Sequence, residues 1–337
     1  MTNNSKIFSV SAAALLILLG GCGKHEAAPD PSSDNLVIRV SPEVTAMTRG
    51  YHEDVGTIKD FDLWIHNYSN SRYTYPNTRF TLNGTEWTPE SMMLWESKSA
   101  VVDFLAVSPS LPTRNISLDT SKDNTIFEFE VESEQTEDSR KSDLLTYNGS
   151  GYSLSGDNNG ENKIPVDDAG KMIINFSHAL TLFQVELTFG TEFNHNGVPK
   201  ECPISKLTVS GTVLEGEYVW VRESDTFEVK KKSGVAPSAI TAYRKSWTPA
   251  KSTTGRCQSV YECIFIPQEV VNMKIDFMLN GKPYTYTHNG RITPSGGGQS
   301  MVLPLIVGKD EVLLGGEITA KPWVAGNGED GEDIETD

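Results

Sequence analysis

Two short stretches carry chemistry that depends on spacing. Cys22 follows Leu19-Gly20-Gly21 at the end of the apolar run "IFSVSAAALLILL". Two small residues ahead of a thiol let a peptidase reach the bond before it, and the sulfur can take a diacylglycerol. The other reading is a plain secretory signal with an incidental cysteine. Arg49 stands between Thr48 and Gly50 in a run with little pattern. Hydrolysis after it makes Gly50 a new N-terminus; the other reading is an ordinary loop arginine.

No catalytic constellation is visible elsewhere. His25, His52, His66, His178, His195 and His288 lack HExxH or other metal-ligand spacing. Ser177 and His178 are consecutive, so in a strand they point to opposite faces and cannot act as nucleophile and base. There is no GxSxG elbow and no phosphate-cradling loop, and "SGGGQS" (295–300) reads as a bare flexible turn. "DNNGEN" (157–162) and "NGEDGED" (327–333) lack the full ligand pattern of a calcium hairpin. The expectation is no enzyme, no metal and no cofactor. Trp64, Trp87, Trp95, Trp220, Trp247 and Trp323 could stack on sugars, but sandwich tryptophans are mostly core residues. Tyr68, Tyr73 and Tyr75 lie in the polar run "HNYSNSRYTYPNTR" and are the candidates for glycan contact. Cys202, Cys257 and Cys263 are either buried thiols or a disulfide from Cys202 to one of the others. Cys257 and Cys263, at the two ends of one strand, cannot reach each other.

The elements that position these residues are strands. Short β-branched or aromatic runs recur between clusters of Gly, Asn, Asp, Pro and Ser: "TIFEFEVES", "LTLFQVELTFG", "SKLTVSGTV", "YECIFIP" and "VNMKIDFML". This pattern predicts an all-β chain of antiparallel sandwiches. "LNGT" (82–85) and "LNGK" (279–282) mark hairpins. "SHALTLF" is the one stretch that could form a turn or two of helix. Leu36, Ile38 and Val40 alternate with Val37, Arg39 and Ser41, giving a first strand with one apolar face. Trp87, Trp95, Phe104, Phe176, Leu180, Val185 and Leu187 are expected in the core.

The chain has 337 residues and a formal net charge of −16. Such a surface repels a phosphate backbone, which argues against nucleic acid. The expected organisation is a signal peptide with its acylated cysteine at 1–22 and a disordered tether at 23–33. An N-terminal sandwich follows at 34–160, a C-terminal sandwich at 161–326 and an acidic tail at 327–337.

A family resemblance rests on the order of several loose motifs. The Leu-Gly-Gly-Cys segment resembles a bacterial lipobox. It is followed by a short strand and "TR", then "DFDLWIHNYS", Asn83-Gly84 with Trp87 and Pro89, "FLAVSP", "SDLLTY", Phe176-Ser177-His178-Ala179-Leu180 and a closing "ITAKPWVAGN". Over about residues 35 to 326 the chain resembles the fimbrillin family, subunits of Bacteroidetes type V pili and their relatives. The resemblance implies two tandem transthyretin-like β-sandwiches and export as a lipoprotein held at the outer membrane through Cys22. It also implies cleavage at Arg49 by an Arg-specific protease and assembly with other fimbrial subunits through a donated strand. A ligand on a host or bacterial surface fits an adhesive role. The tail departs from the family: it is acidic and nearly devoid of apolar residues, so a tip-like or accessory subunit is expected rather than a stalk. The alternative is a lipid-anchored glycan-binding protein outside any polymer.

Overall fold

The computed structural model describes residues 36–44, 58–110, 124–135, 142–156, 162–221, 224–294 and 296–322. In chain order the strands are β1 (Val40–Val44), β2 (Asp60–Asn67), β3 (Tyr75–Asn83), β4 (Glu86–Pro89), β5 (Val102–Ser108), β6 (Asn124–Glu130), β7 (Leu145–Tyr152), β8 (Met172–His178), β9 (Thr181–Phe189), β10 (Ile204–Thr212) and β11 (Glu215–Val221). They continue with β12 (Thr226–Lys231), β13 (Ser238–Thr241), β14 (Tyr243–Thr248), β15 (Gln258–Phe265), β16 (Val270–Val271), β17 (Lys274–Leu279), β18 (Lys282–Thr287), β19 (Arg291–Ile292), β20 (Gln299–Val307), β21 (Val312–Leu314) and β22 (Thr319–Pro322). Among the described residues there is no α-helix; short 3₁₀ turns lie at Ser71–Tyr73 and Thr191–Asn194. The all-β, sandwich-like class expected from the alternation is the one observed.

Seven strands form one sheet in the order β1-β8-β7-β5-β2-β3-β4. The C-terminal half is built from a six-strand sheet (β14-β15-β9-β20-β21, with β22 also on β20), a four-strand sheet (β13-β10-β17-β18), a three-strand sheet (β12-β11-β6) and the β16-β19 pair. Two core clusters result. One holds Ile38, Val40, Phe61, Leu63, Ile65, Phe104, Ala106, Ile174 and Phe176. The other holds Leu180, Phe183, Val185, Leu187, Val209, Tyr218, Tyr261, Leu303 and Leu305. Trp64, Leu105 and Val107, from the opposite faces of β2 and β5, belong to this second cluster.

The sheets do not divide at residue 160. β8 lies beyond that point yet pairs with β1 and β7, while β6 lies before it and pairs with β11 along seven residues, Asn124↔Val221 to Glu130↔Glu215. The loop 148–170 is rich in turn residues, but strand pairing is decided by which edges are open, and loop composition is blind to that. Nor is the pairing wholly antiparallel. β1 runs parallel to β8, and β20 runs parallel to β9 from Gln299↔Thr181 to Val307↔Phe189.

Local turn chemistry fits the sequence closely. At Asn280-Gly281 both residues have positive φ (49° and 79°), the type I′ requirement, and join β17 to β18 through the Leu279↔Lys282 pair. In the first hairpin the turn falls one residue later: Asn83 pairs with Glu86 across Gly84-Thr85, with Gly84 at φ 66°. "SHALTLF" makes no helix. His178 ends β8, Ala179 and Leu180 turn the corner fully buried, and Thr181 starts β9. Within "SGGGQS", Gly297 and Gly298 pack against this corner. A Cβ on Gly297 would meet the Ala179 carbonyl, and Gly298 N–H donates to Leu180 O at 2.8 Å.

Of the residues expected in the core, Trp95, Phe104, Phe176, Leu180, Val185 and Leu187 are buried and Trp87 is half-buried against the first cluster. Phe176 meets Phe61 edge-on at 5.6 Å. Two buried glutamines extend the ladders with their side chains. Gln135 Nε2 donates to Ile264 O (2.6 Å) and its Oε1 accepts from Ile264 N (2.7 Å). Gln268 makes the same paired contact with the backbone of Val213.

Phe176→Ala is expected to cost about 3–5 kcal/mol, the range for emptying a buried aromatic site, measured by denaturant unfolding. Gln135→Leu should cost about 2–6 kcal/mol, because two buried backbone groups lose their partner at roughly 1–3 each. An unchanged unfolding midpoint in the second variant would show that Ile264 finds other partners.

Candidate functional site

Residues 36–44 form the margin of the seven-strand sheet. The alternation read from the sequence appears as burial: Ile38 and Val40 are buried while Arg39 is exposed. Burying each of these two side chains stabilises the fold by about 1.5–3 kcal/mol. They pack into the cluster of Phe61, Met172, Ile174 and Phe176, with Leu36 and Val44 packed against it.

This segment grips the sheet from two sides. Val40–Val44 runs along β8, with Val40↔Met172 and Val44↔Phe176 in register, and Met172 N–H donates to Arg39 O at 2.8 Å. Ahead of it, Val37 bridges Leu94, Ile38 N–H donates to Met93 O (2.9 Å) and Trp95 N–H donates to Leu36 O (2.8 Å). Residues 93–95 follow β4, which ends the sheet on the far side. One short segment therefore joins the β8 margin of the sheet to the loop that follows β4. Removing it would bare apolar side chains and a row of backbone donors and acceptors, the condition under which another strand adds most readily. Arg49 and Gly50 lie outside the described residues, as do Cys22 and the segments assigned to signal peptide, tether and acidic tail.

At the C-terminal side, β22 pairs with Gln299–Val302 of β20 and β21 pairs with Leu305–Val307, so two short strands share one edge. Leu313 and Leu314 on this edge are 50% and 43% exposed. Trp323 and the acids beyond it lie outside the described residues.

The three tyrosines have different settings. Tyr75 is half-buried against the first core, and its hydroxyl is held between Leu94 N (2.7 Å) and Leu94 O (3.1 Å). Tyr73 is half-buried in the 3₁₀ turn. Tyr68 is 54% exposed, and its hydroxyl donates to Asp103 Oδ2 at 2.7 Å. Sequence reasoning missed Asp103, a fully buried carboxylate on β5 that also accepts from Ser150 Oγ and Gly151 N, both at 2.9 Å. The only hint was an acid inside the apolar run "VVDFLAV". Of the tryptophans, Trp64 and Trp220 are fully buried, Trp95 is buried, and Trp87 and Trp247 pack against the cores.

The histidine most open to a functional reading is structural in its setting. His178 Nδ1 is 2.8 Å from Asp143 Oδ1, and both side chains are buried. Cys202, Cys257 and Cys263 are free thiols. Cys202 Sγ lies 3.6 Å from Tyr261 Oη, Cys257 Sγ lies 3.4 Å from Asn194 Oδ1, and burial pushes the Cys263 thiol pKa up. Among the described residues no cluster of acids, histidines and cysteines is placed to hold a metal ion, and no helix is long and apolar enough to cross a membrane.

No curated protein sequence matches this chain. Two solved structures from Bacteroides are among those that share its fold. A candidate cell adhesion protein from Bacteroides ovatus has 13% identity and a TM-score of 0.55, covering 86% of this chain and 99% of its own. Another from Bacteroides uniformis has 11% identity and a TM-score of 0.53, covering 86% and 98%. The family model described as fimbrillin-like matches residues 44–323. With most of the sequence inside that match, the chain belongs to the fimbrillin-like family of structural, non-enzymatic proteins, which supports a fimbrial-subunit or adhesin-like role at the cell surface.

Proposed function

We propose that this protein is a fimbrial subunit, exported as a lipoprotein through Cys22 and assembled by strand exchange in a tip-like or accessory position. The observation that carries the reading is the double grip of residues 36–44, on β8 at one margin of the seven-strand sheet and on the loop at 93–95. Before assembly this segment covers the groove. Arg49 follows it in the sequence, where one cut detaches the segment from the rest of the chain. The vacated groove then asks for an extended strand whose alternate side chains match Ile38 and Val40. A neighbouring subunit can supply that strand, because the groove provides the backbone hydrogen bonds and the apolar pockets of Phe61, Ile174 and Phe176.

Accepting a strand suits this chain better than donating one. Residues through Pro322 are already paired with β20. Beyond them the sequence carries Glu329, Asp330, Glu332, Asp333, Glu335 and Asp337, with Ile334 alone among them, and a run of like charge does not fill an apolar groove. Two or three acyl chains at Cys22 hold the subunit at the outer membrane until assembly, each buried CH₂ contributing about 0.8 kcal/mol.

Two measurements test this. Arg49→Ala should leave the lipid-anchored monomer folded and block its entry into fimbriae, read by N-terminal sequencing of the purified polymer. A mutant that assembles like wild type with residues 34–49 attached would make the first strand a permanent part of the fold. Cys22→Ala should release the protein from the membrane fraction or trap its precursor. Unchanged partitioning into the detergent phase would remove the anchor from the account.

A further inference from the structure

At the end of the two central strands β2 and β5, a shallow pocket of about 460 Å³ opens between the loop after β2 and the loop before β5. Tyr68, Ser69, Glu96, Ser97, Ser99 and Val101 line it. Its size falls within the roughly 300–1,000 Å³ of small-ligand sites. Tyr68 N–H donates to Val101 O at 3.3 Å, which ties the two walls together.

The pocket is held in shape before any ligand arrives. The Tyr68 ring projects 54% exposed, yet its hydroxyl is anchored on the fully buried Asp103, and the His66 ring stands edge-on to it at 5.3 Å. Burying a carboxylate is costly unless it is hydrogen-bonded, and one of Asp103's partners is this surface ring. Opposite, Glu96 is braced by Ser69 Oγ at 2.5 Å from Oε2 and by Asn70 Nδ2 at 3.4 Å from Oε1. The Ser69 hydroxyl, followed by the Asn67 and Asn70 amides, holds the Glu96 carboxyl below its usual pKa, so it is ionised at neutral pH. A carboxylate oxygen accepts up to two hydrogen bonds, so this pre-oriented group retains acceptor capacity toward the pocket.

We propose that this pocket binds a pyranose, with one sugar face stacked on Tyr68 and a vicinal diol donating to the two oxygens of Glu96. A flat aromatic face offers the sugar C–H groups an apolar surface; the Ser69 oxygen, its proton given to Glu96, can accept, and the hydroxyls of Ser97 and Ser99 can donate or accept as the remaining ring hydroxyls require. An ammonium ligand is the poorer fit, because one tyrosine face and one carboxylate already braced by neutral donors make an incomplete cage. Tyr75 takes no part, since the Leu94 backbone occupies its hydroxyl. The inference stands apart from the assembly reading, which rests on the sheet margin.

The test is saturation-transfer NMR on the intact protein. The probes are methyl α-mannopyranoside, methyl β-galactopyranoside and methyl N-acetyl-β-glucosaminide, titrated through the millimolar range, with choline as the cationic comparison. At least one glycoside should bind saturably. Glu96→Gln, a near-isosteric change at a solvent-facing site, should weaken it by about tenfold, equivalent to about 1.4 kcal/mol. Tyr68→Ala should abolish binding, Tyr68→Phe should weaken it less, and Tyr73→Ala should leave it intact. Thermal melts establish that each variant is folded. Binding of none of the glycosides, equal binding by Glu96→Gln and wild type, or binding of choline alone would overturn the proposal. Incorporation into fimbriae separates the two readings: a chain that assembles but binds no glycoside refutes the pocket alone. One that binds but never assembles refutes the assembly reading alone.

Discussion

Strands β2 and β5 have no solvent face, and the architecture depends on that constraint. Phe61, Leu63, Ile65, Phe104 and Ala106 point into one core; Trp64, Leu105 and Val107 point into the other. A strand buried on both sides must be covered by two separate layers. The seven-strand sheet can therefore be complete only when the C-terminal half is packed against its outer face. Equally, the first core needs a cover at its β8 margin, and residues 36–44 supply it while also bonding the loop at 93–95. The two demands keep the described residues in one compact unit although the hydrophobic residues sort into two clusters.

Polar groups inside this arrangement mark its joints. Asn148 on β7 donates to Asp225 Oδ1 at 2.8 Å, and Trp220 Nε1 donates to the same oxygen at 3.0 Å. Tyr218 Oη donates to Asn148 Oδ1 at 3.2 Å, while its ring stacks between Phe127 and Phe227. This network ties the seven-strand sheet to the β11–β12 hairpin. Gln135 and Gln268 act similarly where a ladder runs out, replacing a missing strand with a side-chain amide. Buried networks of this kind favour one arrangement strongly because each unmade bond leaves a costly orphan. They do so at the seams, where apolar packing alone would tolerate sliding.

The margins of the sheets are treated differently from the seams. The C-terminal edge is covered by two short strands with exposed leucines, a modest shield. The N-terminal margin is covered by a segment in which Ile38 and Val40 are deeply buried, so its departure would have a much larger effect on the fold. Such a cover keeps the sheet from pairing indiscriminately, since an open edge is a template for uncontrolled pairing.

The local signals were legible in the sequence. Alternation announced β9 and β17 and the buried face of Ile38 and Val40, although the strand itself begins only at Val40; Asn280-Gly281 announced a hairpin; the order of the motifs announced the family. These features depend on φ/ψ preference and on which face of a strand is apolar, and both are written within a few residues. What the sequence could not state was which strand lies beside which. That β6 crosses to β11, that β8 returns to β1, and that "FLAV" is buried on both faces depend on contacts between residues far apart in the chain. The same limit hid the pocket. Tyr68, Tyr73 and Tyr75 look alike in a polar run, but only tertiary structure sets one hydroxyl on a buried Asp103, another on the Leu94 backbone, and brings Glu96 opposite the first. Spacing along a chain encodes local conformation, whereas the neighbours that give a side chain its chemistry come together only when the sheets close.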